Sequence, residues 1–557
     1  MTTPIAWSRR AADELWSGVV TPLTFSILAE QMAEHMAQQR LRQAGLLEAS
    51  RQPVFRLIRG HVYVNASLIH DVMQEVPGVF LSDGVLALLP EELRGDLSGG
   101  QRALYDPRTV ATVARLTWNE RGWTPWSRAD LFREEAARVS EELAGFAVRP
   151  GASATEIAEQ IGRVRERLGR FLDVVSWAMI YAYVFFHLTA HLSREWLPEE
   201  ESLALLVAGI PGIRTFEVHA ELSALADSVR ADPRLRATVM EFSSADVVEA
   251  AGRGELGEFG RALGEVRRRH GHRLVGRDLV FPTWGERPEV LVEMVRRLAR
   301  SEPAAARPDP AVVLERARRT IGSGLGGAVR WKLFEAGLGW CQEYYAVREN
   351  MRYHADYFLA AFRSLARAAA DDLAARGLLR SEADVFYLTV EELEGVLLRP
   401  REGGALADSA ARRREEYERY GDAMPPAVVW GDDDGERPQS SDRGSGSNGQ
   451  GATELRGTPA SPGTIVGPIR VVRSADELES VQRGDLIVAA ATDPAWTSYL
   501  SLASGLVLEV GGLLSHGAII ARELGIPAVV GLAGATTAFR SGERVRIDGS
   551  RGLVERI

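Results

Sequence analysis

The sequence predicts a multidomain protein in which a mainly α-helical domain is followed by a small α/β domain. The chain has 557 residues, which is more than one hydrophobic core usually accommodates. Residues 1–430 contain long stretches with the apolar spacing of amphipathic helices, interrupted by a strand-like "HVYVN" at 61–65. Residues 457–557 contain short apolar runs separated by Gly and Pro, a pattern typical of strands with one helix among them.

The segment between these two regions differs from both. Residues 431–456 are first acidic and then rich in Gly and Ser, with no apolar periodicity. Such a composition favours a flexible linker over a packed element. We therefore predict domains at 1–430 and 457–557, joined by a linker at 431–456.

The composition excludes several classes of function. The chain is 45% hydrophobic and 25% charged, with a net charge of −10, and it has no basic block, so no nucleic-acid partner is expected. Its one cysteine, Cys341, cannot form an internal disulfide, which fits a reducing compartment. The first 16 residues contain no apolar signal segment. We expect a cytoplasmic protein.

One apolar segment tests that expectation. Residues 174–192, "VVSWAMIYAYVFFHLTAHL", are almost long enough to span a bilayer, but their flanks lack a basic asymmetry. A buried central helix is therefore favoured, and no membrane partner is expected. His187 and His191 are four residues apart on this helix, a spacing that suits a metal ion, but no third ligand lies nearby in the sequence. We predict no metal site.

A single histidine near the C-terminus has an unusual context, "GGLLSHGAIIARELGIP" at 511–527. The preceding run 504–510 is apolar throughout, as in a strand buried on both faces. Gly511 and Gly512 allow a sharp turn and close approach of another molecule. Ser515 is a good N-cap for a helix that runs from about Gly517 to Leu524 and is ended by Gly525 and Pro527.

This context places His516 at the N-terminus of a helix. Unpaired N–H groups and the positive end of the helix dipole favour an anion there, and a neutral imidazole is a nucleophile. The sequence therefore predicts that His516 carries a covalent phosphoryl group; a capping or surface histidine is the alternative. The residues assigned to the phosphohistidine loop are Gly511, Gly512, Ser515, Gly517 and Arg522.

The last 100 residues resemble the phosphohistidine (swivelling) domain of the PEP-utilising enzymes. The similar stretches are "GTPASPGTIVGPIRVV" at 457–472, "GDLIVAAATDPAWTSYL" at 484–500 and "GLVLEVGGLLSHGAIIARELGIPAVVG" at 505–531. Leu514 and Gly517 stand where the dikinases of this family have Thr and Ala, and "LSHGA" is more similar to the rifampin phosphotransferase branch. The resemblance implies that His516 is the phosphorylated histidine.

The helical region resembles the substrate-binding domain of the same branch, which holds the alcohol that receives the phosphoryl group. The similar stretches are 17–27, 270–288, 347–365 and 376–393. Arg348 and Arg352 are four residues apart on one predicted helix, so both guanidinium groups can converge on a phosphoryl group. The alternative is a surface pair bridged to Glu349 or Asp356.

Other residues of this region are candidates for the acceptor site. His272 is a candidate base for the acceptor hydroxyl, or alternatively a hydrogen-bonded core histidine. We expect Thr21 and Pro22 to shape a pocket wall. On the apolar helix, Trp177 and Tyr181, together with Phe185, either line a hydrophobic acceptor site or pack in the core.

The sequence suggests no source of phosphate within this chain. Relatives begin with an ATP-grasp domain, which the resemblance does not extend to here, and no Walker-type phosphate loop is present. The strings "LSGGQRA" at 97–103 and "GSGLGG" at 322–327 lack the context of nucleotide-binding motifs. We therefore expect a separate ATP-grasp protein, with ATP and Mg²⁺ bound to that partner and no tightly bound cofactor on this chain.

Two functions are consistent with these patterns. The first is a phosphotransferase component that relays a phosphoryl group through His516 to a hydroxyl of a small hydrophobic acceptor, either to form a phosphate ester or to activate that oxygen for elimination, condensation or cyclisation in specialised metabolism. The second is a protein that binds a ligand or partner and retains a vestigial phosphohistidine domain. The intact glycines and helix end around His516 favour the first.

Overall fold

The computed structural model describes residues 4–10, 12, 16, 18–75, 86, 89–97, 106–107, 111, 125–198, 203–207, 210–300, 310–399, 405–421, 425–431, 454–473, 476–492, 496–500, 502–513 and 515–557. These residues form a large helical region followed by a small α/β domain, which confirms the predicted fold class. Most of the predicted linker, most of the "LSGGQRA" string and Leu514 lie outside the described residues.

The helical region contains two helices that are much longer than the rest. The bounds are α1 (Pro22–Met32), α2 (Gln39–Ala44), α3 (Ala66–Gln74), α4 (Glu91–Arg94), α5 (Pro125–Leu143), α6 (Ala154–Trp196), α7 (Leu203–Leu206), α8 (Arg214–Ala231), α9 (Pro233–Glu241), α10 (Ser244–Gly252), α11 (Gly257–His270), α12 (Glu289–Arg300), α13 (Pro310–Ile321), α14 (Gly327–Ala375), α15 (Val390–Leu398) and α16 (Leu406–Tyr420). A π-helical segment, Ala33–Gln38, joins α1 to α2. The "GSGLGG" string is the turn between α13 and α14.

The centre of the helical region is the antiparallel pair α6 and α14. The rings of Phe171 and Phe358 lie 5.4 Å apart, whereas further along α6 the ring of Tyr181 lies 5.3 Å from that of Tyr344. The contacts therefore run in opposite directions along the two helices. At its start, α6 is capped by Ser153, whose hydroxyl accepts from the Glu156 backbone N–H, while the Glu156 carboxylate accepts from the Ser153 N–H.

The apolar segment 174–192 is part of α6. In the described part of the chain, α6 is the one helix that is long and apolar enough to cross a membrane, and 56% of its apolar window is buried inside the protein. Val175 and Ala178 are almost fully buried in the main hydrophobic cluster, which also contains residues of α5 and α14. The packing is that of a central core helix, as predicted.

A small antiparallel sheet lies at the N-terminal end of the helical region, with strand order β2–β3–β1–β4. Its strands are β1 (Ala6–Ser8), β2 (Phe55–Ile58), β3 (His61–Asn65) and β4 (Val428–Trp430). Strand β3 is the predicted 61–65 strand. Because β4 pairs with β1, the chain returns to the N-terminal sheet immediately before the predicted linker.

The C-terminal domain is an eight-stranded mixed sheet with three short helices. The strands are β5 (Glu454–Arg456), β6 (Thr458–Ser461), β7 (Thr464–Val472), β8 (Leu486–Ala489), β9 (Gly505–Leu508), β10 (Ala528–Val530), β11 (Arg544–Asp548) and β12 (Leu553–Arg556), and the helices are α17 (Thr497–Leu500), α18 (His516–Leu524) and α19 (Ala535–Ala538). The strand order is β5–β12–β11–β7–β8–β9–β10–β6, with β7 to β10 parallel.

Both faces of the parallel strands are covered, which explains their apolar sequences. Ile487 of β8 packs in one cluster with Ala518 and Ile520 of α18, whereas its neighbour Val488 packs on the other face with Phe539. All four residues of β9 are buried, as predicted for the run before the histidine turn.

The C-terminal domain docks on the helical region through α18. Ile519 packs in the same hydrophobic cluster as Phe334 and Tyr345 of α14. The guanidinium of Arg522 lies 5.9 Å from the centre of the Tyr345 ring, and that of Arg297 lies 3.6 Å from the centre of the Tyr499 ring. The N-terminus of α18 is therefore held against α14.

We predict that the α6–α14 contact dominates the stability of the helical region. Phe358 is fully buried against Phe171, so Phe358→Ala should lower the free energy of unfolding by about 3–5 kcal/mol. Leu333→Ala, on the exposed part of the same helix, should change it by no more than about 0.5 kcal/mol. Urea unfolding followed by circular dichroism measures both; equal effects of the two substitutions would contradict this packing.

Candidate active site

His516 is the first residue of α18, directly after the turn that leaves β9. Gly511 in this turn has φ +123°, a conformation that side chains other than glycine's rarely adopt. Ser515 occupies the N-cap position as predicted, although its hydroxyl makes no capping hydrogen bond to a described residue. The helix ends at Gly525 in the left-handed region, also as predicted. The local sequence thus places the imidazole at a helix N-terminus.

The imidazole of His516 faces the helical region rather than solvent. His516 is 4% exposed, and its Nδ1 lies 3.5 Å from Oε2 of Glu349, which is 2% exposed. Within the part of the chain that the structure describes, neither ring nitrogen has a hydrogen-bond partner. The histidine is therefore buried between the two domains, with a carboxylate beside one nitrogen and Nε2 left for another group.

Opposing effects set the pKa values of this pair. Burial would raise the pKa of Glu349, but His516, Arg352 and Arg348 outweigh it and lower that pKa to about 2. Burial lowers the pKa of His516; the contact with Glu349 opposes this effect, while Arg352 and Arg277 add to it. The carboxylate is thus ionised and the imidazole is neutral, the form that acts as a nucleophile.

Arg348 and Arg352 lie on α14 on either side of Glu349, and both are close enough to it to stabilise its charge. Arg348 is 9% exposed, so the pair is not a solvated surface pair. Among the described residues, Nε and Nη1 of Arg352 are buried without a hydrogen-bond partner. Arg352 is also close enough to His516 to lower its pKa, so these two donors are candidates to bind an anionic group near the histidine.

Beside the two arginines is a cavity of about 260 Å³. Most of its described lining is apolar, and the charged groups come from α14 and from the loop after α11. The described lining residues are Trp16, Leu28, Met32, Met36, Leu168, Phe171, Leu172, Met179, Arg273, Leu274, Gly276, Arg277, Trp284, Arg348, Met351, Arg352, Ala355, Asp356 and Leu359. Arg277 and Arg352 belong to this lining and also lower the pKa of His516, so the cavity and the histidine share two charged neighbours, although His516 is not among the described lining residues.

Two further residues of the predicted loop hold α18 in place. The Arg522 guanidinium donates through Nε to the Ala518 carbonyl at 2.9 Å and through Nη2 to the Leu513 carbonyl, so it ties the turn to the helix. A Cβ at Gly517 would lie 2.4 Å from Cδ1 of Leu508 and 2.7 Å from Oγ1 of Thr492, so glycine allows close packing of the helix start on the sheet. Gly512 has open space around it.

The structure places His272 away from the predicted role. Its ring stacks on that of Tyr357 at 3.5 Å and meets the ring of Tyr353 edge-on, and it is not among the described lining residues of the cavity. Burial, then the charge of Arg273, lowers its pKa well below the ordinary value. His272 is therefore a packed aromatic-cluster residue, and Asp356 is the carboxylate that lines the cavity, 3.4 Å from Nε of Arg273.

Thr21 and the two aromatic candidates on α6 also lie outside the described lining. The backbone N–H and hydroxyl of Thr21 donate to the fully buried Asp278, which fixes the start of α1 to the loop that carries Arg277. Trp177 lies beneath the guanidinium of Arg40 at 5.2 Å, and Tyr181 packs on Tyr344. Trp177 and Tyr181 belong to the main hydrophobic cluster, whereas Leu172 and Met179 of α6 line the cavity.

Sequence reasoning missed four site residues: Arg273, Arg277, Glu349 and Asp356. Glu349 and Asp356 were considered only as surface partners of the arginine pair. A signal was present, because Arg348, Glu349 and Arg352 are neighbours on a helix next to a predicted phosphoryl site.

No group of three or more His, Cys, Asp and Glu that suits a metal ion occurs in the described ranges, and burial lowers the pKa of His187 to about 4.

The fold and the buried histidine define a class of domain. Residues 481–552 match the mobile domain of the PEP-utilising enzymes, and residues 170–349 match the fourth domain of rifampicin phosphotransferase. The second match begins within α6 at residue 170 and ends at Glu349, the residue in contact with His516. The resemblance to the PEP-utilising enzymes, in their rifampicin phosphotransferase-like branch, is thereby confirmed.

Individual relatives agree with the domain matches. A rifampicin phosphotransferase of Streptomyces sviceus is 33% identical over 374 residues, which cover 65% of this chain and 42% of the relative. The rifampicin phosphotransferase of Bacillus subtilis is 27% identical over 379 residues, with the same coverage. A phosphoenolpyruvate synthase of Aeropyrum pernix is 45% identical over 106 residues, 19% of this chain and 13% of that protein. The chain thus spans less than half the length of these rifampicin phosphotransferases.

We predict that the pKa of His516 depends on the charges of Glu349 and Arg352. In the whole chain its pKa should lie below the ordinary 6.5, because burial disfavours the imidazolium. Glu349→Gln removes a charge that favours the imidazolium and should lower the pKa further, whereas Arg352→Gln removes a repelling charge and should raise it. Histidine ring NMR measures these values.

The exposed Glu335, on the same helix, provides the control. Glu335→Gln should leave the titration of His516 unchanged, since that residue lies about four turns away from Glu349 and faces solvent. A higher His516 pKa in Glu349→Gln would show that the two side chains are not in contact in solution.

Proposed function

We propose that this chain is a phosphotransferase in which His516 receives a phosphoryl group and passes it to a hydroxyl of a small hydrophobic molecule held in the cavity. The observation that supports this most strongly is the position of His516. The residue belongs to one domain, yet it is buried against Glu349 of the other, beside two arginines and an apolar cavity. This is the arrangement that a docked transfer state requires.

The groups around His516 suit the transfer step. With Glu349 at Nδ1, Nε2 is the nitrogen that carries phosphorus, and a proton on Nδ1 makes the ring a better leaving group. An acceptor hydroxyl oxygen attacks phosphorus, the P–O bond forms, the P–N bond breaks, and its electron pair returns to Nε2. Arg348 and Arg352 stabilise the charge of the phosphoryl oxygens as they move.

The hydroxyl proton needs a recipient near the cavity. Asp356 is the described carboxylate in the lining, and its ion pair with Arg273 holds it in place. We assign it the proton in the step above, in place of His272, whose ring is stacked on Tyr357. Atoms and charge then balance: phosphohistidine protonated at Nδ1, an alcohol and ionised Asp356 yield a phosphate ester, neutral His516 and protonated Asp356.

Loading of His516 must occur in a different arrangement of the domains. At 4% exposure in the docked arrangement, the ring is inaccessible to a phosphoryl donor. The composition of residues 431–456 predicts a flexible linker, which permits the C-terminal domain to leave the helical region. We propose that a separate ATP-grasp protein, with ATP and Mg²⁺, loads His516 while the domain is undocked.

The fate of the phosphorylated acceptor follows from its own chemistry. A phosphate ester is the direct product. Where the acceptor carries a suitable neighbouring hydrogen or nucleophile, the phosphorylated oxygen can leave, which yields an alkene, an amide or a ring. Such activation suits specialised metabolism, and it is the second product class that we propose for this site.

We expect His516 to be the phosphorylated residue. Potassium phosphoramidate, a small phosphoryl donor, should add acid-labile phosphoryl groups to accessible neutral imidazoles, and one of these groups should be on His516 because the undocked ring is reachable. His516→Ala should lose this group, and the exposed His191→Ala should keep it. Intact-mass measurement before and after mild acid shows the result. Incubation of the same variants with the ATP-grasp protein and radiolabelled ATP tests the proposed donor. If His516→Ala took up as much label as the unmodified chain, the proposal would be refuted.

Glu349 should matter for transfer and not for loading. We expect Glu349→Gln to take up the phosphoryl group from phosphoramidate normally but to release it to an apolar alcohol about 10²-fold more slowly, because Nδ1 loses its charged partner. Glu335→Gln is the matched control and should behave as the unmodified chain. Normal release by Glu349→Gln would mean that the docked arrangement is not the transferring one.

A further inference from the structure

The cavity lined by α14 and by the loop after α11 carries more positive than negative charge. Its described charged residues are four arginines and one carboxylate: Arg273, Arg277, Arg348, Arg352 and Asp356. Glu349, outside this lining, adds a second carboxylate that is held ionised by its neighbours. Even with Glu349 included, the guanidinium groups outnumber the carboxylates as long as His516 is unphosphorylated. The cavity of the unphosphorylated chain therefore favours an anion.

Two of these arginines have buried donors that no described residue uses. Nε and Nη1 of Arg352 are buried and have no hydrogen-bond partner in the described part of the chain. Arg273 is 5% exposed, and its Nε makes an ion pair with Asp356 at 3.4 Å but no hydrogen bond to a described residue. Buried donors are costly to leave without acceptors, and the planar guanidinium fork matches a carboxylate. The donors thus favour an anionic head that accepts hydrogen bonds.

The rest of the cavity requires an apolar body on that anion. Apart from the charged residues, the described lining consists of apolar and aromatic side chains and one glycine: Trp16, Leu28, Met32, Met36, Leu168, Phe171, Leu172, Met179, Leu274, Gly276, Trp284, Met351, Ala355 and Leu359. A free inorganic anion would leave this apolar surface in contact with water. The volume of about 260 Å³ suits a short body.

We infer that the cavity of the unphosphorylated chain binds a small amphipathic carboxylate, and that this ligand and a phosphoryl group on His516 exclude each other. The carboxylate head pairs with the arginines, and its body contacts the apolar lining. Such a ligand occupies the place of the acceptor, so it regulates the site as an inhibitor of the resting chain. The exclusion rests on the proposed phosphorylation of His516, whereas the binding does not.

The mutual exclusion follows from charge. Arg277 and Arg352 line the cavity and also act on His516, so a phosphoryl dianion there and a carboxylate in the cavity draw on the same two cations. Like charges at short range repel. Because binding linkage is reciprocal, the phosphoryl group lowers the affinity for the carboxylate by the same factor by which the bound carboxylate disfavours the phosphorylated state.

Matched compounds test the recognition of head and body. Calorimetry on the whole, unphosphorylated chain should show that octanoate binds at least about tenfold more tightly than octanamide, octylamine or acetate, which lack the negative charge or the apolar body. Octanamide or octylamine binding as tightly as octanoate, or no binding of octanoate, would overturn the inference. Binding of octyl phosphate without binding of octanoate would also overturn it, because the site would then only retain the ester product of the proposed reaction.

The titration of His516 shows where the head lies. Octanoate should raise the pKa of His516, because a carboxylate beside Arg352 and Arg277 offsets the two charges that lower that pKa. Octanamide should leave it unchanged. Histidine ring NMR measures both values, and an unchanged pKa with saturating octanoate would mean that the carboxylate binds elsewhere, against the inference.

Variants test whether the cavity is the binding site. Arg352→Gln removes the unused donors, Met179→Trp fills the apolar part, and each should weaken octanoate binding at least about tenfold. Arg330→Gln, at an exposed position of the same helix α14 and outside the described lining, should not. Circular dichroism identifies a variant that fails to fold, and the other then decides; normal octanoate binding by a folded one would contradict the inference.

Phosphorylation tests the exclusion. After treatment with phosphoramidate, with loading followed by intact mass, the chain should bind octanoate at least about tenfold more weakly, because the phosphoryl dianion repels the carboxylate. Treated His516→Ala should bind octanoate as tightly as before treatment. Equal weakening in both, or in neither, would contradict the exclusion. If the exclusion holds but no alcohol accepts the phosphoryl group, the proposed function fails and this inference stands; transfer to alcohols by a chain that does not bind octanoate has the opposite meaning.

Discussion

The buried contact between His516 and Glu349 is the constraint on which the site depends, because the two residues belong to different domains. An imidazole and a carboxylate that lose their hydration must find compensating partners. Glu349 finds them in Arg348 and Arg352, whereas Nε2 of His516 and two nitrogens of Arg352 have none among the described residues. A phosphoryl group on Nε2 would satisfy these donors. Phosphorylation should therefore strengthen docking at the acceptor station, and its loss to the acceptor should weaken it.

One helix connects all parts of the site. Within a little over two turns, α14 presents Glu349 to the histidine, Arg348 and Arg352 to the proposed phosphoryl position, and Asp356 to the cavity. Its rigidity comes from the antiparallel contact with α6, where aromatic rings interlock along the buried length. A group that must be positioned within a fraction of an ångström is best held on such an element. The long helices are thus the frame of the site as well as the core of the domain.

Local signals were sufficient for the histidine turn and insufficient for the cavity. The N-cap, the glycines and the apolar strand act over a few residues, so the sequence predicted the placement of His516 at the start of a helix, and the four-residue spacing predicted that Arg348 and Arg352 share a face. Which side of the apolar part of α6 meets a cavity depends on its neighbours, because apolar residues cover the whole circumference there. Trp177 and Tyr181 therefore belong to the core, while Met179, between them, lines the cavity. The sequence predicts Glu349 only as a surface partner of the arginines, because its contact with His516 joins two distant parts of the chain.

In the reaction that we propose, the docked arrangement also separates the loading step from the transfer step in time. A histidine that is 4% exposed beside the acceptor cavity is shielded from bulk water, which protects a labile P–N bond from hydrolysis at the moment when the acceptor is present. The same burial keeps any phosphoryl donor away, so loading and transfer cannot occur in one arrangement of the domains. An apolar acceptor then contributes to its own reaction, since filling the cavity removes the remaining water near phosphorus and strengthens every interaction of the arginines with the phosphoryl oxygens. The exclusion of water near phosphorus is therefore a consequence of the apolar part of the lining.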